Sequence, residues 1–401
     1  MVPPTLGVAL AHPLTEPFQL PLSPLAAATA GAALVFLVAM AVPRKADSSE
    51  EEVRPVTSWA GSLTPAQVVT RALAVALLAL AVAAGRLGAD EELDNLAPAL
   101  VVGVLWPLLA LVSVAAGPIW RWVDPWDGIA RVLTRERAPA GAGAVWPAVL
   151  PAIGWAWYLG AYNDTLDPRA VGAALAVYTL FTLAGSVALG RARWLSSAEP
   201  FGILLSWLAL FPRRRLASWR PPRGADVLLG VFIGGILFGA VRRSELWGGL
   251  NTAGLAELYA ALGVLLFSAA AAGLLVLLRL TLEPLGARSA AAQSVLPAVA
   301  GIVIAVALDR NRLTTSVQLL PELFSDPFGR GWALFGVERV QLDPAPLGTE
   351  GLLWAQLGVL LAGFLAGAVV LARRLGRGDR PPSALLLAVL ASAAVIAVVT
   401  H

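Results

Sequence analysis

Apolar segments of about twenty residues recur along the whole chain, and this repetition decides what it can fold into. A helix needs about 20 mostly apolar residues to cross a hydrocarbon core near 30 Å thick, because each residue rises about 1.5 Å. Ten windows meet or approach that requirement: 21–42, 68–87, 96–119, 141–161, 170–190, 226–241, 258–278, 289–308, 351–372 and 382–400. The runs are continuous rather than alternating, which excludes the strands of a membrane β-barrel. Of the 401 residues, 58% are hydrophobic and 14% are charged, against roughly 25% charged in a soluble domain. The sequence predicts an all-α, polytopic transmembrane helical bundle with about ten spanning helices. Residues 1–401 form one integral membrane unit whose main partner is the lipid bilayer, with room for partner subunits or a homo-oligomer.

Charge sets the orientation. If the segments before and after each window alternate sides, most of the 29 basic residues gather on one side. They include Arg121, Arg131, Arg191, Arg193, Arg220, Arg223, Arg279, Arg288, Arg373 and Arg374. Acidic residues lean to the other side, most plainly at Asp90-Glu91-Glu92-Leu93-Asp94. Basic residues mark the cytoplasmic side, so the reading is a bacterial cytoplasmic membrane protein with both termini extracytoplasmic. The net charge of +3 serves orientation rather than nucleic-acid binding.

The connections divide into distinct kinds. Ala9-Leu10-Ala11 before His12 resembles the end of a signal peptide without its charged start; the alternative is an uncleaved proline-rich tail. Residues 43–67 read as a polar cytoplasmic loop and 309–350 as an extracytoplasmic loop or cap. Residues 125–135 read as an amphipathic interfacial helix, with Trp126, Ile129, Ala130 and Leu133 on the apolar face and Asp127, Arg131 and Arg135 turned elsewhere. Residues 200–212 are apolar, bracketed by prolines and followed by Arg213-Arg214-Arg215. Their interior spans about 16 Å as a helix, half the core, so the segment is either re-entrant from the cytoplasmic side or interfacial.

The chain contains no cysteine and two histidines, His12 and His401. Thiolate sites are excluded, and an imidazole-rich metal or haem site within one subunit has no ligands. The reading calls for no cofactor and no metal, with a copper site at a mature amino-terminal His12 as the one alternative. P-loop, dinucleotide and nucleophile-elbow patterns are absent from any credible setting.

Four acid–proline pairs stand near a glycine: Asp124-Pro125-Trp126-Asp127-Gly128, Glu199-Pro200-Phe201-Gly202, Glu283-Pro284-Leu285-Gly286 and Asp326-Pro327-Phe328-Gly329. An acid at N-cap with proline at N1 is an ordinary helix start. The functional reading makes Asp124, Trp126, Glu199 and Asp326 candidate binding residues for a cation or a polar substrate group, with Asp124 and Glu199 sharing a space if 200–212 is re-entrant. Catalytic residues are not identified.

Within the spans, ionisable groups are scarce, which counts against proton coupling. Arg71 and Arg86 are placed to snorkel, and Gln293 and Gln356 to hydrogen-bond between helices. Trp120, Trp122, Trp126, Trp194, Trp219 and Trp247 suit an interfacial belt; Trp106, Trp155 and Trp157 are deep enough to line a pocket.

Several strings occur together and in order: Asp94-Asn95-Leu96-Ala97-Pro98, Trp122-Val123-Asp124-Pro125-Trp126, Glu199-Pro200-Phe201-Gly202, Ser244-Glu245-Leu246-Trp247 and the run from Ser325 to Gly336. Over roughly 90–372 the chain resembles a family of bacterial polytopic membrane proteins labelled fenitrothion hydrolase-like. That family tends to carry Asn at Asp124, Ala at Pro200, and His and Tyr at Asp309 and Arg310. The resemblance implies hydrolysis of organophosphorus or other amphiphilic esters, a chemistry that known hydrolases perform with two metals held largely by histidines. Scarce buried charge and missing metal ligands point instead to a permease-like protein or a subunit of a larger complex. The two expectations stand as alternatives.

Overall fold

The structure is a computed structural model that describes residues 23–43, 62–134, 143–212, 215–248, 255–308, 313, 315–337, 342 and 348–399. His12, most of the 43–67 loop, Arg213 and Arg214, and parts of 309–350 lie outside the described residues. The described chain is helical. Its one trace of β-pairing is an isolated bridge between Ala144 and Arg223.

Nine helices among the described residues are long and apolar enough to cross a membrane. They are α1 (Pro24–Ala41), α2 (Pro65–Leu87), α3 (Leu96–Ala116), α6 (Pro168–Leu189), α9 (Ala225–Arg242), α10 (Ala256–Leu282), α11 (Ser289–Ala307), α13 (Gly348–Arg374) and α14 (Pro381–Val399). Shorter helices come between them: α4 (Pro125–Leu133), α5 (Val149–Gly160), α7 (Arg191–Ser197), α8 (Pro200–Leu208) and α12 (Thr315–Ser325). Local sequence explains the boundaries. Ser23, Thr64, Asp124, Asp167 and Glu199 each cap a helix that begins with proline, which satisfies orphan N–H groups while proline supplies none.

The window at 141–161 is shorter than its hydropathy suggests. The chain enters it through a 3-10 turn at Trp146–Ala148, and the α-helix proper has 12 residues. Both ends of α5 are nevertheless tied to the ends of α9. The Val145 N–H donates to Arg223 O at 2.9 Å, beside the start of α9. At the far end, Arg242, the last residue of α9, donates to Gly160 O and Tyr162 O at 2.9 Å each. α5 therefore runs parallel to α9 between the same two levels.

Ion pairs and caps gather the helix ends into an arginine-rich end and an acidic end. At the arginine-rich end, the buried Arg380 donates to the Ala39, Met40 and Val42 carbonyls at the end of α1, and to the Ala372 and Leu375 carbonyls at the end of α13. Arg279 pairs with Asp226 there at 3.0 Å. At the acidic end, Arg169 pairs with Asp90 at 2.6 Å, and Asn95 holds the Ala84 and Ala89 carbonyls. Asp326 caps the turn at that end, accepting from Arg330, Gly331 and Trp332 N–H groups. The start of α1 and the end of α14 share the acidic end, since α14 packs antiparallel to α1.

The core is built around α11 and α9, whose most apolar windows are 89% and 72% buried inside the protein. Gln356 on α13 donates to Ala305 O on α11, the interhelical bond expected of it, whereas Gln293 on α11 donates to Ala217 O and Trp219 O in the non-helical connection before α9.

A buried hairpin and the cavity above it

α7 and α8 form a helical hairpin that rises from the arginine-rich end, turns, and returns. Gly190 opens it with φ of +90°, a conformation that lets the chain leave α6 sharply. Arg191 at the base is ion-paired with Asp127 on α4. The tip, Glu199-Pro200-Phe201, reaches residues midway along the spanning helices. The Phe201 ring lies 5.1 Å from Trp106 on α3, 5.2 Å from Trp155 on α5 and 5.5 Å from Tyr178 on α6. At the return, Trp207 meets Trp219 at 5.3 Å, next to the carbonyls held by Gln293. Pro200, Phe201, Gly202, Ile203, Leu204, Leu205, Trp207 and Leu208 are all buried. A helix lying flat under headgroups would expose one face; α8 exposes none. The nine residues of α8 cover about 14 Å, and backbone at such depth is tolerated where neighbouring helices shield it.

The hairpin delivers a carboxylate to the middle of the bundle. Glu199 is 1% exposed and accepts from the Tyr178 hydroxyl at 2.5 Å, the Phe201 N–H at 3.0 Å and the Gly202 N–H at 2.6 Å. Gly202 is required by close approach. A methyl group there would stand 2.5 Å from Glu199 Oε2 and 2.7 Å from Trp120 Nε1.

Asp124 is buried nearby and caps α4 through the Asp127 N–H at 2.9 Å. Trp126 packs its ring 5.0 Å from Tyr178 and donates to Thr179 at 3.1 Å. Three of the four candidates, Asp124, Trp126 and Glu199, thus come together. Asp326 does not; it caps a turn at the acidic end. Of the four acid–proline motifs, the two at Asp124 and Glu199 start helices, and Glu283 instead follows the end of α10.

Several expectations are corrected here. Asp127 does not turn away from the bundle: it is 0% exposed and pairs with Arg131 at 2.9 Å, with Arg71 and with Arg191. Arg71 does not snorkel; besides Asp127 it holds the Arg121 carbonyl at 2.7 Å. Trp120, Trp126 and Trp219 are buried rather than part of a belt, while Trp157 is half-exposed and off the cavity. Buried acids do exist inside the bundle, carried by the hairpin and by α4 rather than by spans.

Above the hairpin lies a cavity of about 400 Å³. Its walls are aliphatic residues of α2 and α3 and the rings of Trp106, Trp120, Trp126, Trp155, Tyr178 and Phe201. α2 packs against the first turn of α3 at the acidic end and against the helical turn Trp120–Val123 at the other. Between these contacts the two helices part, and Leu73, Leu77, Leu105 and Leu109 rim the gap. Leu73 is 65% exposed and is flanked by the exposed Val69 and Leu108, so the opening lies in an apolar outer surface. A π-helical stretch at Ala99–Leu105 precedes Pro107 in the α3 wall. Proline leaves the backbone ladder open there, and such widened turns are frequent at functional sites.

Tyr178 went unnoticed in the sequence, although a hydroxyl-tipped ring midway along an apolar span needs a partner. Among the described residues, no three His, Cys, Asp or Glu side chains gather as metal ligands do. Asp124, Asp127 and Glu199 are committed to helix caps, arginines and Tyr178, a donor set that does not fit a dinuclear metal centre. No protein-family model, no curated protein and no solved structure matches this chain. The chain is an integral membrane protein built as a polytopic helical bundle.

Proposed function

We propose that the protein is a permease-like or ligand-binding component of the bacterial cytoplasmic membrane, taking an amphiphile from the bilayer through the gap between α2 and α3. The observation that carries this reading is the cavity of about 400 Å³, lined mostly by apolar side chains and by Tyr178, whose hydroxyl holds the buried Glu199 behind the wall. That volume is in the range of small-molecule sites, roughly 300–1,000 Å³. An apolar body fits the aliphatic mouth, and a polar head reaches the depth at which a cavity-lining hydroxyl, that of Tyr178, meets a buried carboxylate. The arginine-rich end faces the cytoplasm by the positive-inside rule, which puts both termini outside and the mouth in the inner half of the bilayer.

The activity implied by the family resemblance, hydrolysis of an amphiphilic ester, is less well supported. Besides Tyr178, the cavity is lined by one hydroxyl, that of Thr70, and it donates to Trp122 O at 2.5 Å. Among the described residues Thr70 has no base beside it, and Tyr178, although bonded to Glu199, is a phenol whose burial disfavours its ionised, nucleophilic form.

The test is binding of a fluorescent single-chain amphiphile to the full chain in nanodiscs. Saturable binding above that of empty nanodiscs is expected, with at least a tenfold loss on Leu77→Trp, which fills the mouth. Binding that Leu77→Trp leaves unchanged would reject the cavity as the site.

A further inference from the structure

Resting on that reading, we infer that the cavity selects a lipophilic monocation, an ammonium or phosphonium head on an apolar body. Three features of the site converge on a cation.

The first is the wall. Six aromatic rings line the cavity, and several are in contact: Trp106 with Phe201, Trp155 with Phe201, Tyr178 with Phe201, and Trp126 with Trp120 and Tyr178. Aromatic ring faces carry negative quadrupole charge and attract desolvated cations.

The second is the charge behind the wall. Glu199 accepts only from neutral donors, Tyr178 and two backbone N–H groups. Among the described residues no lysine or arginine lies within ion-pair distance of it. The α8 helix terminus offsets about half a charge, so the ionised carboxylate leaves net negative charge behind the wall. Tyr178 connects the two features: its ring lines the cavity while its hydroxyl holds the carboxylate.

The third is where positive charge goes. Arg71, Arg131 and Arg191 converge on Asp127, whose carboxylate they share. Among the described residues, no basic side chain lines the cavity itself. An anion would meet aromatic rings with a carboxylate behind them and, among the described residues, no basic side chain in the lining.

The Trp120 Nε1–H adds a detail. Trp120 is 8% exposed, and this group has no hydrogen-bond partner although it stands beside Gly202 and Glu199. Buried donors are rarely left unpaired, so a water that accompanies the ligand's head completes the site.

The experiment uses two ions of matched shape and opposite charge. Tetraphenylphosphonium and tetraphenylborate are titrated against the full chain in nanodiscs, with empty nanodiscs subtracted. Tetraphenylphosphonium should bind saturably and at least tenfold more tightly than tetraphenylborate. Glu199→Gln should remove most of that preference, and Glu199→Asp should keep part of it. Trp126→Leu, which leaves the hairpin cap intact, should weaken the phosphonium about tenfold. Equal binding of the two ions, or a preference that survives Glu199→Gln, would overturn the inference and leave the amphiphile reading standing. Loss of both ions together with the single-chain amphiphile would reject both.

Discussion

The Tyr178 hydroxyl, midway along α6, donates at 2.5 Å to Glu199 at the tip of the α7–α8 hairpin. This bond joins a spanning helix to a segment that does not span, and it fixes the carboxylate beneath the cavity. Tyr178→Phe removes one of three donors to a buried acceptor, at a cost of about 1–3 kcal/mol. The expected outcome is a lower melting temperature with the helical content kept, read by circular dichroism. An unchanged melting temperature would mean that the pair is not formed.

Gly202 is expected to tolerate no side chain. Gly202→Ala forces a methyl group against Glu199 Oε2 and Trp120, and overpacking of this kind costs about 1–3 kcal/mol. Gly154→Ala, at a site with open space around it, is the control and should melt near the wild-type temperature.

Asp127 should prove the most sensitive acid in the chain. Asp127→Asn leaves Arg71, Arg131 and Arg191 crowded without their shared counterion. Removing one side of a buried ion pair costs about 3–5 kcal/mol. Thermal inactivation in detergent should show a larger loss than for Asp90→Asn, whose pair with Arg169 is exposed.

Arg380→Met should loosen the packing of α1 against α13 and α14. The substitution orphans carbonyls at the ends of two helices, each worth about 1–3 kcal/mol when buried and unmet. Limited proteolysis near residue 42 should accelerate. Reporter fusions at Ala138 and Gly376 should read as cytoplasmic and one after His401 as external, which checks the sidedness proposed for this end.

Much of this architecture is legible in the sequence, and the reasons for the rest are physical. Hydropathy finds the spans because lipid imposes length and composition on them. It overestimates the window at 141–161, since apolar residues there continue through an irregular lead-in that hydropathy cannot tell from helix. Prolines at 200 and 212 mark the half-helix, because neither flank can continue it. The pairing of Asp124 with Glu199 follows once the segment turns inward. What one-dimensional pattern hides is the destination of polar side chains. Asp127 looks solvent-facing on a helical projection, yet it meets arginines from α2 and α7, fifty or more residues away in sequence. Asp326 carries the same local motif as Glu199 and caps an unrelated turn, because the motif encodes a cap and not a site.

The central claim is that the cavity opens sideways into the bilayer and ends on the hairpin. A lipid carrying a diazirine on its acyl chain, photolysed in nanodiscs with the full chain, tests it most directly once adducts are mapped by mass spectrometry. Adducts are expected on Phe201 and Leu205, which are buried inside the protein but line the cavity, and they should vanish in the Leu77→Trp variant. Adducts confined to outward-facing residues such as Leu180 and Leu266, with none on Phe201 or Leu205, would contradict the account.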